Sequence, residues 1–457
     1  MESQAAPPRA LRRELGLTDL VLAQVLNVVG SSWVGIAAKL GRAHMVYWLA
    51  AMALFYLPLA AVVIWLNRLM PLEGGLYQWA KAGFGEMAGF LTAWNLWFYA
   101  VVSAASILFV IPTDISFMIG PAAVWLPASK VGTLAAIGAA MAGITLVAIH
   151  GLDIAKWLHN TGSAMILLAY VILLALPVWA LVRGAIPHYD PLPWVRPKPS
   201  WFSLAVFGQM TVGGLSGFEY VAILAGECRH PEKTIGRSVV IATPIIAAMF
   251  ILGTSSVLAF LSGQSINVIG PIPQTMRTAM GPRIAPFAIL LLLGRAVAAA
   301  SLLFTGLTRL PMTAGWDCLV PAWFSRLSPR RGTPVHSILF TAALIMSLIL
   351  LSMLGVHEQE ASQLLTVAST AHYAIAYASL FAIPVFGARA VVSRLPPWLK
   401  FPAAAGMLTS LVSMAITVYP IVDVVSRAAY AAKICSVVAI VNALGILIYR
   451  ARPGRVG

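Results

Sequence analysis

The sequence predicts an all-α integral membrane fold of twelve transmembrane helices. Three observations predict it. The first is composition: of 457 residues, 60% are apolar and 10% are charged, where a soluble domain carries about 25% charged residues. An ordinary water-facing surface cannot be built from this chain, and lipid is the expected solvent. The second is that apolar runs of about 20 residues, enough to cross a bilayer, follow one another along the chain with no soluble stretch long enough to fold alone. The third is the placing of Lys and Arg, which gather on alternate connections.

The runs, numbered as helices 1 to 12, are 17–38, 45–66, 87–112, 131–149, 162–182, 202–225, 239–261, 284–306, 335–354, 364–386, 401–420 and 431–449. An even number puts both termini on one side. Residues 1–16 are polar, carry Arg9, Arg12 and Arg13, and lack a cleavable signal pattern. They are expected to stay in the cytoplasm, with helix 1 as the insertion signal. In that orientation 19 of the 30 Lys and Arg residues are cytoplasmic, 10 are outside and Arg295 is left within a span. The reading is a cytoplasmic (inner) membrane protein with both termini inside, ending in a tail at 450–457.

The net charge of +15 sits in short loops, so its expected partner is the anionic lipid surface. No basic patch with interleaved aromatics supports nucleic-acid binding. Cys228, Cys318 and Cys435 are scattered and odd in number, so neither a metal site nor a disulfide framework is expected, and no cofactor is implied. Two connections are more than plain loops. Residues 73–85 form an amphipathic stretch whose Tyr77 and Trp79 suit a membrane interface. Residues 262–282, with Gly270-Pro271-Ile272-Pro273, form a long outer connection.

Helices 1 and 6 carry the functional signal. Helix 1 has Gly30-Ser31-Ser32 at its middle, followed by Trp33. Helix 6 has Gly213-Gly214-Leu215-Ser216-Gly217, then Phe218-Glu219. Glycine costs a helix interior roughly 1 kcal/mol relative to alanine, and serine competes for the local backbone. Either cluster alone reads as small residues that let helices pack closely. Two of them, in the first helix of each half of a five-plus-five inverted repeat, point to a binding site at the repeat interface. Where such a helix unwinds, free N–H groups at one half-helix bind a carboxylate. Free carbonyls at the other half bind an ammonium or a metal cation. A zwitterionic amino acid presents both groups.

Met70-Pro71-Leu72-Glu73-Gly74-Gly75-Leu76-Tyr77-Gln78-Trp79, with Phe84-Gly85 and Gly89-Phe90 after it, closely resembles the loop-and-helix-3 signature of the amino acid–polyamine–organocation superfamily. Gly217-Phe218-Glu219, Ala225-Gly226-Glu227, His230-Pro231 and Ile235-Gly236-Arg237-Ser238 resemble its helix 6 and following loop. Arg309, Asp317-Cys318-Leu319-Val320-Pro321 and Thr333-Pro334-Val335 are similar to its helix 8–9 connection. The resemblance covers about residues 15–395. It implies the leucine-transporter type of inverted repeat, with a first repeat at 17–182, a second at 202–386, and helices 11 and 12, at 399–449, outside both. It also implies a substrate whose amino and carboxyl groups lie against Gly30–Trp33 and Gly213–Gly217. The chain departs from the common pattern in three places. Trp33 adds bulk where many members have a small residue. Gly213 and Leu215 stand where relatives carry aromatics, so Trp33 is expected to stand in for the missing ring. Relatives with a Lys early in helix 5 use it in place of a cation; here Met165 or a neighbour stands there.

Charged groups within the spans are costly and by default functional. Glu219 in helix 6 could carry a proton, or tie helix 6 to a neighbour. Arg295 in helix 8 could hold the place of a coupling cation, meet an anionic substrate group, or form an ion pair with Glu219 or Asp114. Ala298-Ala299-Ala300-Ser301 offers one hydroxyl where sodium-coupled relatives offer more, which argues against sodium. His372 and Tyr373 in helix 10 are candidates for gating, and a lone His is more often a packing residue. Asp114 is placed near the outer end of helix 3, at the interface.

The resulting expectation is a secondary transporter that moves an amino acid by alternating access, coupled to protons or working by exchange. A polyamine or organic-amine transporter is the near alternative, and a sensor that binds without flux would share every motif. An enzyme is not expected: there is no H-E-x-x-H or G-x-S-x-G, and His357-Glu358-Gln359-Glu360 lacks a second His.

Overall fold

The computed structural model describes residues 16–70, 75–217, 231–261, 266–308, 311, 322–328 and 332–451. Glu219, Cys228 and Cys318 lie outside the described residues; Cys435 is an exposed free thiol. Among the described residues, ten helices are long and apolar enough to cross a membrane unaided. They are helices 2 (Gly41–Leu69), 3 (Glu86–Ile119), 4 (Lys130–His150), 5 (Trp157–Val182), 7 (Lys233–Leu261), 8 (Pro271–Leu307), 9 (Val335–Ser352), 10 (Glu358–Phe386), 11 (Pro397–Ile416) and 12 (Arg427–Arg450). The two absent from that set are helix 1, which is interrupted, and helix 6, whose described part leaves the helix by Gly217. Large apolar side chains such as Phe287, Phe401 and Leu447 face outward, as a protein solvated by lipid requires. The chain is an integral membrane protein.

Several boundaries differ from the sequence reading for local reasons. Helix 3 does not end at Pro112. A new helical stretch, Val110–Ile119, starts after a joint at Phe109, and Pro112 falls in its first turn, where a missing N–H breaks no bond. Helix 10 begins at Glu358, earlier than its apolar run, because Glu358 and Glu360 occupy the first turn, where the helix dipole favours carboxylates. Part of the outer connection is itself helical. It runs from Pro271 to a kink at Gly281, whose φ of 73° favours glycine. The 73–85 stretch contains a helix, Leu76–Phe84, but Tyr77 and Trp79 are buried in the protein instead of lying at an interface. The Trp79 indole N–H donates to the Met70 carbonyl at 2.9 Å, so the ring's polar atom is satisfied inside the protein.

The apolar interior is divided in two. One core joins helices 1, 2, 5, 6 and 7 with the second half of helix 10, around Trp48, Phe55, Tyr170, Phe250 and Tyr377. The other joins helices 3, 4 and 9 with the first half of helix 10, around Trp97, Phe98, Phe109 and Ile345. Helix 8 passes from one to the other. Its residues up to Leu292 belong to the first core, and those from Ala296 on belong to the second. Arg295 lies at that crossing.

Candidate functional site

Helix 1 is two helices in line. The first, Leu17–Val28, ends at Val29 (φ −79°, ψ 93°), and the second, Ser31–Ala38, starts from Gly30 (φ −96°, ψ 139°). The break is therefore Val29-Gly30, and Ser31 and Ser32 form the first turn of the second half. Its leading N–H groups have no partner within the helix. A Cβ on Gly30 would come within 2.7 Å of Trp33 Cδ1, so the indole folds back over the break and glycine makes room for it.

Helix 6 loosens before it stops. Trp201–Gln209 is α-helical, Met210–Gly214 widens into a π turn, and Leu215–Gly217 leaves the helix. Gly217 has φ 105°, which an L side chain rarely adopts. Trp33 explains the first glycine of the π turn: its six-membered ring occupies the space that a Cβ on Gly213 would take, whereas a Cβ on Gly214 would meet Trp48 at 3.3 Å and Trp33 at 3.4 Å. An aromatic side chain at Gly213 and one at Trp33 are mutually exclusive. Leu215 and Ser216 are buried, and the Ser216 hydroxyl donates to the Gly213 carbonyl at 3.1 Å.

The two breaks are joined directly. Asn27 Nδ2, three residues before Gly30, donates to the Gly217 carbonyl at 2.7 Å. The Gly217 N–H donates to the Tyr377 hydroxyl at 3.1 Å. Tyr377 stacks on Tyr373 with centroids 4.4 Å apart, and Tyr373 lies against Tyr99 of helix 3 at 3.8 Å. Tyr373 thus belongs to an aromatic column that runs from the helix 6 break to helix 3. His372, its neighbour, points elsewhere. Its Nδ1–H donates to Asn95 Oδ1 at 2.8 Å and its ring meets Phe98 edge-on. Asn95 Nδ2 in turn donates to Asn442 Oδ1 of helix 12 at 2.8 Å. One helical step separates Tyr373 from His372, about 100° of rotation, so they meet helix 3 at different points, Tyr373 at Tyr99 and His372 at Asn95 and Phe98.

Arg295 reaches helix 1 from helix 8. Its Nη2 donates to the Val29 carbonyl at 3.5 Å, a long contact to one of the carbonyls freed by the break. Asp114 and Tyr170 face the same guanidinium electrostatically. Asp114 is 1% exposed; the interfacial placing expected from the sequence is corrected, because the helix continues past Phe109 and turns the residue inward. Among the described residues, both carboxylate oxygens of Asp114 and the Tyr170 hydroxyl have no hydrogen-bond partner. Met165 of helix 5 packs on Gly294, beside Arg295. The place where relatives were expected to carry a helix 5 lysine is apolar here, and helix 8 brings a cation to it.

Gly30, Ser31, Ser32 and Trp33 are thus brought together with Gly213, Gly214, Leu215, Ser216 and Gly217, and with Arg295 and Tyr373 at the margins. His372 is not among them. Sequence reasoning missed Asn27 and Tyr377. A signal existed for Asn27, a polar amide within an apolar helix one turn before the glycine.

Comparison with known proteins follows from this geometry. The family model for amino acid permeases matches residues 16–446. The chain belongs to the amino acid permease family. That places it in the amino acid–polyamine–organocation superfamily, as a transporter. An uncharacterized transporter of Legionella pneumophila is 26% identical over 345 residues, covering 74% of this chain and 73% of that protein. A Lactococcus lactis protein described as a probable agmatine/putrescine antiporter, AguD, is 21% identical over 283 residues, covering 59% of this chain and 57% of that one. Among solved structures, the crystal structure of MhsT in complex with L-phenylalanine superposes with a TM-score of 0.54 at 15% identity, covering 90% of this chain and all of that one. At that identity the likeness is one of fold, the leucine-transporter type.

Proposed function

We propose that this permease moves an amino acid or a related amine across the cytoplasmic membrane by alternating access, by exchange or with protons, and without sodium. The observation that carries the proposal is that the break in helix 1 meets the break in helix 6 through Asn27 and Gly217, while Arg295 already occupies a freed carbonyl of helix 1. The substrate carboxylate is assigned to the leading N–H groups of Ser31–Ala38, where backbone donors and the helix dipole act together. Its ammonium is assigned to the carbonyls around Gly213–Gly217, with Trp33 shaping the pocket wall. Arg295 is assigned the role of a fixed cation at Val29, and Asp114 that of its counter-charge. Glu219, two residues after Gly217 in the sequence, remains a candidate proton carrier.

The two-core interior supports alternating access. Helices 1, 2, 6 and 7 share one core and helices 3, 4 and 9 the other. Rocking one group on the other would make and break the Arg295–Val29 contact at their seam. The short helices Leu76–Phe84 and Pro271 to Gly281 occupy matching places in the two halves. That supports inverted repeats at 17–182 and 202–386, with helices 11 and 12 as additions at 399–449. Lys and Arg asymmetry supports termini in the cytoplasm. The likeness to AguD favours amines as the second substrate class.

Reconstitution into proteoliposomes decides between these. Radiolabelled uptake is measured against a panel of amino acids, agmatine and putrescine, with imposed pH and sodium gradients and with counter-substrate inside. Uptake that needs internal substrate or a proton gradient, and ignores sodium, is expected. A sodium requirement refutes the role given to Arg295. Binding without flux for every panel member would make the chain a sensor.

A further inference from the structure

A cavity lies away from the breaks, at the far end of helix 1. It has a volume of about 630 Å³, within the range of small-ligand sites. It is bounded by the end of helix 1, the start of helix 2, the 183–200 connection and the end of helix 7. The eight residues of Ser31–Ala38 separate it from Gly30, a distance of about 12 Å at 1.5 Å per residue. It shares no residue with the site proposed above.

The walls are built by defined contacts. Arg42 Nη2 pairs with Asp190 Oδ2 at 2.9 Å and pins the 183–200 connection over the cavity. The Ser255 hydroxyl donates its one hydrogen to the Pro191 carbonyl at 2.7 Å, and its oxygen lies 3.2 Å from His44 Nε2. Because that hydroxyl hydrogen is spent, the His44–Ser255 contact requires the proton on Nε2. The neutral ring then leaves Nδ1 as a hydrogen-bond acceptor. His44 is fully buried, lines the cavity, and its Nδ1 has no partner among the described residues. Lys39, on the same wall, forms no ion pair among the described residues. Burial holds its ammonium below the usual lysine range, against the opposing pull of Asp423.

One cavity therefore offers a cationic donor, Lys39, and an acceptor without a partner among the described residues, His44 Nδ1, with a carboxylate edge at Asp190, which Arg42 pairs. A lone anion would leave His44 unfilled in its neutral form. A lone cation would meet Lys39 and Arg42. We propose that this cavity is a second binding site for the backbone of a free α-amino acid, its carboxylate on Lys39 and its ammonium on His44 Nδ1 and Asp190.

Saturation-transfer NMR on the full-length protein in detergent tests this with L-alanine, acetate and methylammonium as probes. The proposal expects transfer to alanine that persists in Gly30→Leu, which blocks the helix 1 break, and that drops severalfold when His44→Phe or Lys39→Gln is added to Gly30→Leu. Acetate and methylammonium are expected to give much weaker transfer. The half-exposed Lys39 site covers the case in which His44→Phe fails to fold. Loss of all alanine transfer in Gly30→Leu would overturn the proposal, since only the central site would then bind. Transfer unchanged when Lys39→Gln is added to Gly30→Leu, or acetate binding to Gly30→Leu as strongly as alanine, would overturn it as well. None of these outcomes depends on whether the protein shows flux in proteoliposomes.

Discussion

Helices 1 and 6 are both interrupted, but they are interrupted differently. Helix 1 stops and restarts within two residues, both in extended conformation, and each half is regular. Helix 6 first widens into a π turn and then leaves the helix at a glycine with φ 105°. The first break depends on what reaches it from outside, Arg295 at the Val29 carbonyl and Trp33 folded over Gly30. The second depends on its own backbone, on Gly213, which admits the Trp33 ring, and on Gly217, whose φ an L side chain rarely adopts. A break supported by side chains should tolerate compensated substitution. A break supported by backbone should not.

The largest expected effect follows from that difference. Gly217→Val forces a β-branched residue into left-handed backbone and crowds Asn27 Nδ2, which lies 2.9 Å from the added Cβ. Displacing a reacting or binding geometry by about 1 Å costs on the order of a hundredfold, so uptake should be abolished while membrane expression persists. No second-site change near Asn27 should restore it. Normal uptake by this variant, measured per folded protein, removes helix 6 from the site.

Arg295→Met comes next. Removing one partner of a buried charged contact costs roughly 2–5 kcal/mol, and uptake should fall by tens-fold or more. Here compensation is expected: Met165→Lys in the Arg295→Met background places an ammonium from helix 5 beside Gly294 and should recover a large part of the loss. No recovery would mean that Arg295 serves packing and not charge. The Trp33 relation can be tested by exchange. Gly213→Phe alone should be inactive, because the ring space is taken. Gly213→Phe with Trp33→Gly should regain uptake with an altered substrate preference.

Smaller effects separate the two faces of helix 10. Tyr377→Phe removes the acceptor of the Gly217 N–H, worth roughly 1 kcal/mol, and should lower uptake about fivefold. His372→Phe removes the hydrogen bond to Asn95, away from Gly217, and should leave uptake per folded protein within about twofold. It should instead lower the thermal midpoint in detergent. A large uptake defect in His372→Phe would return that residue to the gating role expected from its position.

Much of the architecture was legible in the sequence, because lipid allows few solutions. A backbone that cannot bond to water must form helices, and runs of apolar residues mark them. The interrupted helices were legible because glycine and serine clusters have few other uses within a span. The boundaries that were misread share one cause. Pro112, Glu358 and the 271–281 helix lie where polar or proline-rich composition suggests an end, but helix first turns accept proline and carboxylates. Tyr77, Trp79 and Asp114 were assigned to interfaces by residue type, whereas burial depends on which way a helix turns.

The sequence by itself determined that this chain crosses a membrane many times, breaks two of its helices and belongs with amino acid permeases. Those properties are local or periodic and need no partner to be read. The tertiary structure alone decided that Trp33 fills the space over Gly213, that Asn27 and Tyr377 hold Gly217, and that the cation beside the helix 1 break comes from helix 8 and not from helix 5. Each of these pairs residues far apart in the chain, such as Asn27 and Gly217, 190 positions apart, and Val29 and Arg295, 266 apart. Contacts at that separation are set by helix packing and rotation, which no local pattern records.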